Sequence, residues 1–173
     1  MGKGKLTAVT DSGPIIHLTE IGCFDILSIF ENLYVPDAVW VETVEIGRVS
    51  SEDFNRLPNL NHHTIPQHDL GNFIKNNDLM ELHSGELECL YLSKQIDIPI
   101  ILTDDLAVRE TAKRLRLKPV GSLGVVAKAY YMSKLSISDA EQYMIDLYEV
   151  SSLFVTRVIV EMAITQLQNP IYL

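Results

Sequence analysis

Pro99-Ile100-Ile101-Leu102-Thr103-Asp104-Asp105 is an apolar run of strand length that stops on two carboxylates. Leu6-Thr7-Ala8-Val9-Thr10-Asp11 repeats that pattern nearer the start and is followed by Ser12-Gly13-Pro14, with Pro14 suited to the first turn of a helix. Continuous apolar runs of this length fit strands covered on both faces, the situation in a parallel sheet. The Pro99–Thr103 run leads into a helical pattern over Leu106–Leu117 and then a short strand, Lys118-Pro119-Val120. Strand, helix and strand in alternation predict a three-layer α/β domain, with a parallel sheet of four or five strands between helices.

The rest of the chain fits around these two runs. Ile15, Leu18, Ile21, Cys23, Ile26, Leu27 and Phe30 recur at helical spacing. Leu33–Val35 reads as a strand, and Pro36-Asp37 opens a helix through Val39, Trp40 and Thr43 toward Gly47. Residues 50–78 carry no clear period, although His63–Ile65 has strand character. Ser84 is expected to cap a helix over Gly85–Gln95, with Glu86 and Glu88 in its first turn. Gly124–Met132 reads as a helix, Ser138 and Glu141 as the capping box of the next, and Arg157–Leu167 as a last helix stopped before Pro170. No linker or repeat divides the 173 residues, so one domain is expected, with 133–173 as a helical extension.

Composition excludes several classes. Hydrophobic residues are 47% and charged residues 21% of the chain, a globular balance rather than a disordered one. Cys23 and Cys89 lack metal-ligand spacing and read as core residues of a reduced, cytoplasmic protein. No apolar run approaches the roughly 20 residues of a membrane helix. Met1–Lys5 carries two lysines, but Asp11 breaks the apolar stretch after it, and Leu6 stands where N-myristoylation wants Ser or Thr, so neither export nor lipid anchoring is expected. Fourteen Lys and Arg against 23 Asp and Glu give a net charge of -9, a poor match to a polyanion unless the acids are concentrated in one place.

The strand ends supply that place. Ligands of open parallel sheets bind beyond the carboxyl ends of the strands. If the strands ending at Asp11 and Asp104-Asp105 are neighbours, their carboxylates share one crevice. Two like charges about 5 Å apart repel by about 3 kcal/mol at an effective dielectric near 20. A hard divalent cation with oxygen ligands, Mg²⁺ or Mn²⁺, would offset that repulsion. Each acid taken singly is equally at home as a helix cap, and acidic crevices also serve phosphoacceptor and phosphatase domains. The lysine that a phosphoacceptor needs at a later strand end is missing, and Gly13 occupies the position where a dehalogenase-type phosphatase carries its second Asp.

Five blocks in order resemble the PIN-domain nucleases: Asp11-Ser12-Gly13-Pro14; Val35-Pro36-Asp37 with Val39 and Glu42; Leu82-His83-Ser84-Gly85-Glu86 with Glu88-Cys89-Leu90; Ile101–Asp105 with Arg109 and Ala112; and Val120-Gly121-Ser122-Leu123-Gly124. The likeness implies a metal-dependent ribonuclease of the VapC kind, the toxin of a toxin–antitoxin pair. It implies that Asp11, Glu42, Glu86, Asp104 and Asp105 form the catalytic acids, with Asp11 and one or both of Asp104 and Asp105 on metal. Asp105 aligns best with the acid of the final motif. Ser12 and Thr103 would orient water or a phosphate oxygen. Arg109, Lys113 and Arg116 are expected on one helix face, with Arg109 and Lys113 holding RNA phosphate. A PIN fold that binds without turnover, or an acidic phosphoacceptor, is the competing expectation. His62, His63 and His68 read as a polar loop rather than a zinc site, and Trp40 with Tyr130-Tyr131 as core or interface residues. The apolar residues spread around 143–167 point to an interface, with a homodimer expected and a small antitoxin protein as the other occupant.

Overall fold

The computed structural model describes residues 6–169; Met1–Lys5 and Pro170–Leu173 lie outside them. The elements are β1 (Thr7–Thr10), α1 (Ser12–Glu20), a 3₁₀ helix over Phe24–Ile29, β2 (Asn32–Pro36), α2 (Asp37–Trp40) continuing as a π-helical turn over Val41–Glu45, α3 (Ser51–Asn55), β3 (Leu60–His63) and α4 (Gln67–Asn77). They continue as α5 (Ser84–Gln95), β4 (Ile100–Leu102), α6 (Leu106–Arg114), β5 (Lys118–Val120), α7 (Ser122–Tyr131), α8 (Ile137–Glu149) and α9 (Arg157–Gln168). All five strands are parallel, in the order β3-β2-β1-β4-β5, and helices flank the sheet. The expected three-layer α/β arrangement is the one observed.

The two acid-ended runs are neighbours. Val9 pairs with Ile101 and Thr10 with Leu102, so the chain leaves both strands at the same edge of the sheet. Ala8, Val9, Leu33, Val35, Ile101 and Leu102 have no exposed surface, as strands covered on both faces require. Helix α5 packs on β1, β2 and β4, while α7 joins α1, the 3₁₀ segment, α8 and α9. Both cysteines are buried and reduced; burial pushes the Cys23 thiol up to about 12 and that of Cys89 well above its usual range.

Several boundaries differ from the sequence reading, each for a local reason. The apolar period over residues 15–30 is broken at Gly22, whose φ of +69° ends α1 and lets Cys23 N–H reach Leu18 O. The third strand is Leu60–His63 rather than His63–Ile65, set by pairing of Leu33 with Leu60 through Pro36 with His63. His83, not Ser84, is the cap of α5, its N–H donating to Glu86 Oε2 at 2.9 Å. Ser136, not Ser138, caps α8, with its hydroxyl oxygen accepting Asp139 N–H and donating to the Asp139 carboxylate. Helix α6 stops at Arg114, and Arg116 takes a left-handed φ of +61°, so it does not continue the face of Arg109 and Lys113.

Candidate active site

Asp11 is the first residue past β1. Its N–H donates to Leu102 O at 2.9 Å, which extends the β1–β4 ladder and fixes the carboxyl at the sheet edge. Oδ1 accepts the Ser12 N–H at 2.8 Å and Oδ2 accepts the Thr103 hydroxyl at 3.0 Å. The residue is only 7% exposed. Burial is the main cause of a carboxyl pKa pushed from 3.8 up to about 6; the Ser12 and Thr103 bonds hold it back, and the charges of Glu86 and Glu42 raise it further.

The two glutamates arrive from helix starts. Glu42 opens the π-helical turn after α2, where Thr43 bonds back to Val39 O at 2.7 Å. Its carboxylate lies against the first turn of α5. A Cβ at Gly85 would stand 3.0 Å from Glu42 Oε1, so any side chain there would press on that carboxylate. Glu86 sits one position on, with Oε2 spent partly on the His83 N–H. Asp11, Glu42 and Glu86 therefore form one electrostatically coupled acidic group.

Asp104 and Asp105 have other partners. Asp104 Oδ1 accepts the Ser122 N–H at 2.7 Å, and Oδ2 accepts the Ser122 hydroxyl at 2.6 Å and contacts His17 Nδ1 at 2.7 Å. Both oxygens are engaged by protein groups, and a Cβ at Gly121 would stand only 2.8 Å from Oδ1. The carboxylate ties the last turn of α1, the β4–α6 turn and the start of α7 together. Asp105 caps α6, with Oδ1 accepting Val108 N–H at 2.9 Å, and its own N–H donates to the Thr103 hydroxyl at 3.3 Å. Thr103 thus links Asp11 and Asp105 through one oxygen. Arg109 Nη1 donates to Thr103 O at 3.3 Å, close to the acids, while Lys113 is exposed further along α6.

His17 drew no mention in the sequence, and Ser122 and Glu88 drew none of the partners that the fold gives them. His17 lies one helical turn after Gly13 and so shares its face, and Ser122 stands inside a quoted block without a role being drawn from it. Glu88 is 5% exposed and structural: Oε2 accepts the Ala38 N–H at 2.7 Å and Oε1 the Gln67 side chain at 3.4 Å.

The oxygen-only set of Asp11, Glu42 and Glu86 fits a hard divalent cation in its chemistry, because a positive charge would offset the cost of burying the Asp11 charge and its repulsion from Glu86 and Glu42. Among the described residues no three His, Cys, Asp or Glu side chains are already gathered as a metal-binding group. No described helix is long and apolar enough to cross a membrane.

No curated protein and no solved structure matches this chain. A family profile for the PIN domain matches residues 7–169, which spans every strand of the sheet and all the acids above. The chain belongs to the PIN-domain family, a fold of nuclease type.

Proposed function

We propose that the protein is a metal-dependent endoribonuclease that hydrolyses phosphodiesters at the Asp11 pocket. The observation that carries this reading is Asp11 itself. A buried carboxyl with its pKa near 6, beside two glutamates at the carboxyl edge of a parallel sheet, is electrostatically expensive, and its bonds to the Ser12 N–H and the Thr103 hydroxyl offset only part of that cost. Asp11, Glu42 and Glu86 would hold Mg²⁺ or Mn²⁺, drawing in around the ion, with Asp105 as a further acid across the Thr103 hydroxyl. When bound, such an ion lowers the pKa of a water and neutralises phosphate charge.

The chain's own groups do the positioning. Ser12 N–H and the Thr103 hydroxyl hold the two Asp11 oxygens in a fixed orientation. Asp104, locked by Ser122 and His17, is a positioning residue for the β4–α6 turn rather than a ligand. Arg109, tethered to Thr103 O, places a guanidinium beside the pocket for a phosphate oxygen. Lys113 adds a second cation on the same helix.

The biological reading is a cytoplasmic toxin paired with a small antitoxin protein and acting as a homodimer. Phe154, Val158, Ile159 and Met162 support an interface, being at least half exposed on and just before α9. The test is cleavage of a panel of structured RNAs with Mg²⁺ or Mn²⁺ and with chelator. Metal-dependent cutting that Asp11→Asn abolishes is expected. A wild-type protein that binds RNA without cutting it under any metal would instead favour a PIN-fold binding module.

A further inference from the structure

The aromatic side chains of α2 and β3 have no role in the nuclease chemistry proposed for the Asp11 pocket. The rings of Trp40 and His62 are stacked, with centroids 4.7 Å apart and planes inclined by 7°. Trp40 also meets Phe54 in an edge-to-face contact, centroids 5.0 Å apart at 74°. His62 Nε2 lies 2.7 Å from Asp37 Oδ1, and Asp37 Oδ2 accepts the Ile65 N–H at 2.9 Å. The imidazole is thus supported on one face by an indole and at one edge by a carboxylate that the backbone holds. Its side chain is nevertheless 40% exposed. Simple shielding of Trp40 calls for an apolar cover, whereas this ring is oriented and left open.

The location matters as much as the stack. His62 pairs in register with Val35, and Asp37 directly follows β2, so the stack stands at the same sheet edge as Asp11. With the strand order β3-β2-β1, it lies two strands from Asp11, about 10 Å at the usual strand spacing. Helix α2 carries Asp37 and Trp40 and runs straight into the turn that bears Glu42. A net charge of -9 gives the surface little long-range pull on phosphates, so affinity has to come from elsewhere. Aromatic faces provide it without cations, since every base has a π-face to stack. The three neighbouring histidines are not a metal group; none exists among the described residues.

We propose that the open face of His62, backed by Trp40, is a stacking subsite for an unpaired nucleobase near the scissile phosphate. The inference rests on the ribonuclease reading and adds to it how substrate is gripped.

Trp40 is the only tryptophan in the chain, so its emission reports on this stack without a label. A short unpaired oligoribonucleotide is rapidly mixed with the Mn²⁺-loaded protein, and emission is recorded before turnover. The same oligomer, made abasic at each position in turn, is assayed for cleavage by wild type, His62→Ala and His62→Phe. Substrate should change Trp40 emission. One abasic position should raise KM about tenfold with kcat kept, the scale expected of one stacked base. His62→Ala should raise KM equally and make that position indifferent to base loss, and His62→Phe should restore most of the affinity. Cleavage with unchanged Trp40 emission, or with an unchanged KM in His62→Ala, overturns the subsite and leaves the nuclease reading standing. A lower melting temperature as the sole effect of His62→Ala also overturns it, because the ring would then be only a cover. If wild type neither binds nor cuts any oligomer, the ribonuclease reading falls and the subsite with it.

Discussion

The Asp11 carboxyl has an ordinary pKa of 3.8 in the unfolded chain and one of about 6 in the fold, chiefly through burial, and this sets up Asp11→Asn as a stability experiment. A carboxyl whose folded pKa is raised binds its proton more tightly in the native state. The resulting penalty is absent below about pH 3.8, grows as pH climbs toward 6, and is constant above that. At roughly 1.4 kcal/mol per pH decade, the charged form costs the native state about 3 kcal/mol at pH 7. Asn removes the charge but accepts with one oxygen where Asp11 accepts with two, a loss of about 1 kcal/mol. In chelator at pH 7 the variant should therefore be about 2 kcal/mol more stable than wild type, or about 4–8 °C in Tm for a chain of this size. The gap should close as pH falls toward 4. Adding Mn²⁺ should reverse the order, since an ion at a hundred times its Kd stabilises wild type by about 2.7 kcal/mol and the neutral Asn side chain gives it little to bind. Thermal melts across pH, with and without Mn²⁺, test all three statements. A less stable Asn variant in chelator, or an equal Mn²⁺ shift in both proteins, would refute the reasoning.

Asp104→Ala should cost about 2–3 kcal/mol, because it leaves Ser122 N–H, its hydroxyl and His17 without their shared acceptor; a change below about 0.5 kcal/mol in urea melts would show that the tether is slack. The glutamates should sort by role in one cleavage assay. Glu42→Gln and Glu86→Gln are expected to lose activity at least a hundredfold while staying folded, whereas Glu88→Gln is expected to lose about 1 kcal/mol of stability and keep most activity. Light scattering should report about twice the 19.5 kDa chain mass, and Ile159→Asp should return it to one chain; a monomer in both cases removes the α9 interface.

The central strands were legible because burial on both faces leaves an uninterrupted apolar signature, as at Ile100–Leu102. The acids were legible because strand ends and helix starts are marked by Thr103, Gly85 and Pro14. The opposite holds at the sheet margin. Strand β3 reads Leu-Asn-His-His, an edge strand paired only with β2, so nothing apolar repeats along it. Helix α4 buries Leu70 alone and ends on a left-handed Asp78, which leaves too little periodicity to see. The role of Asp104 was hidden for a different reason. Its partners His17 and Ser122 are 87 and 18 residues away, and only the folded chain shows which carboxylate spends itself on protein donors.

The strand order has a bearing on when the protein can first act. Strands β1, β2 and β3 are contiguous in space and all precede residue 64, but the seam beside Asp11 is closed by β4, and the turn after β4 is held by Ser122. Domains emerge and fold from the amino end during synthesis. A growing chain that has exposed Asp11, Glu42 and Glu86 still lacks the Thr103 hydroxyl that orients Asp11 and the Leu102 carbonyl that anchors its backbone. A fragment ending at Gln95 should accordingly be inert toward RNA and prone to pair its open β1 edge with other copies. The acidic pocket of this PIN domain is thus completed only by the later part of its chain.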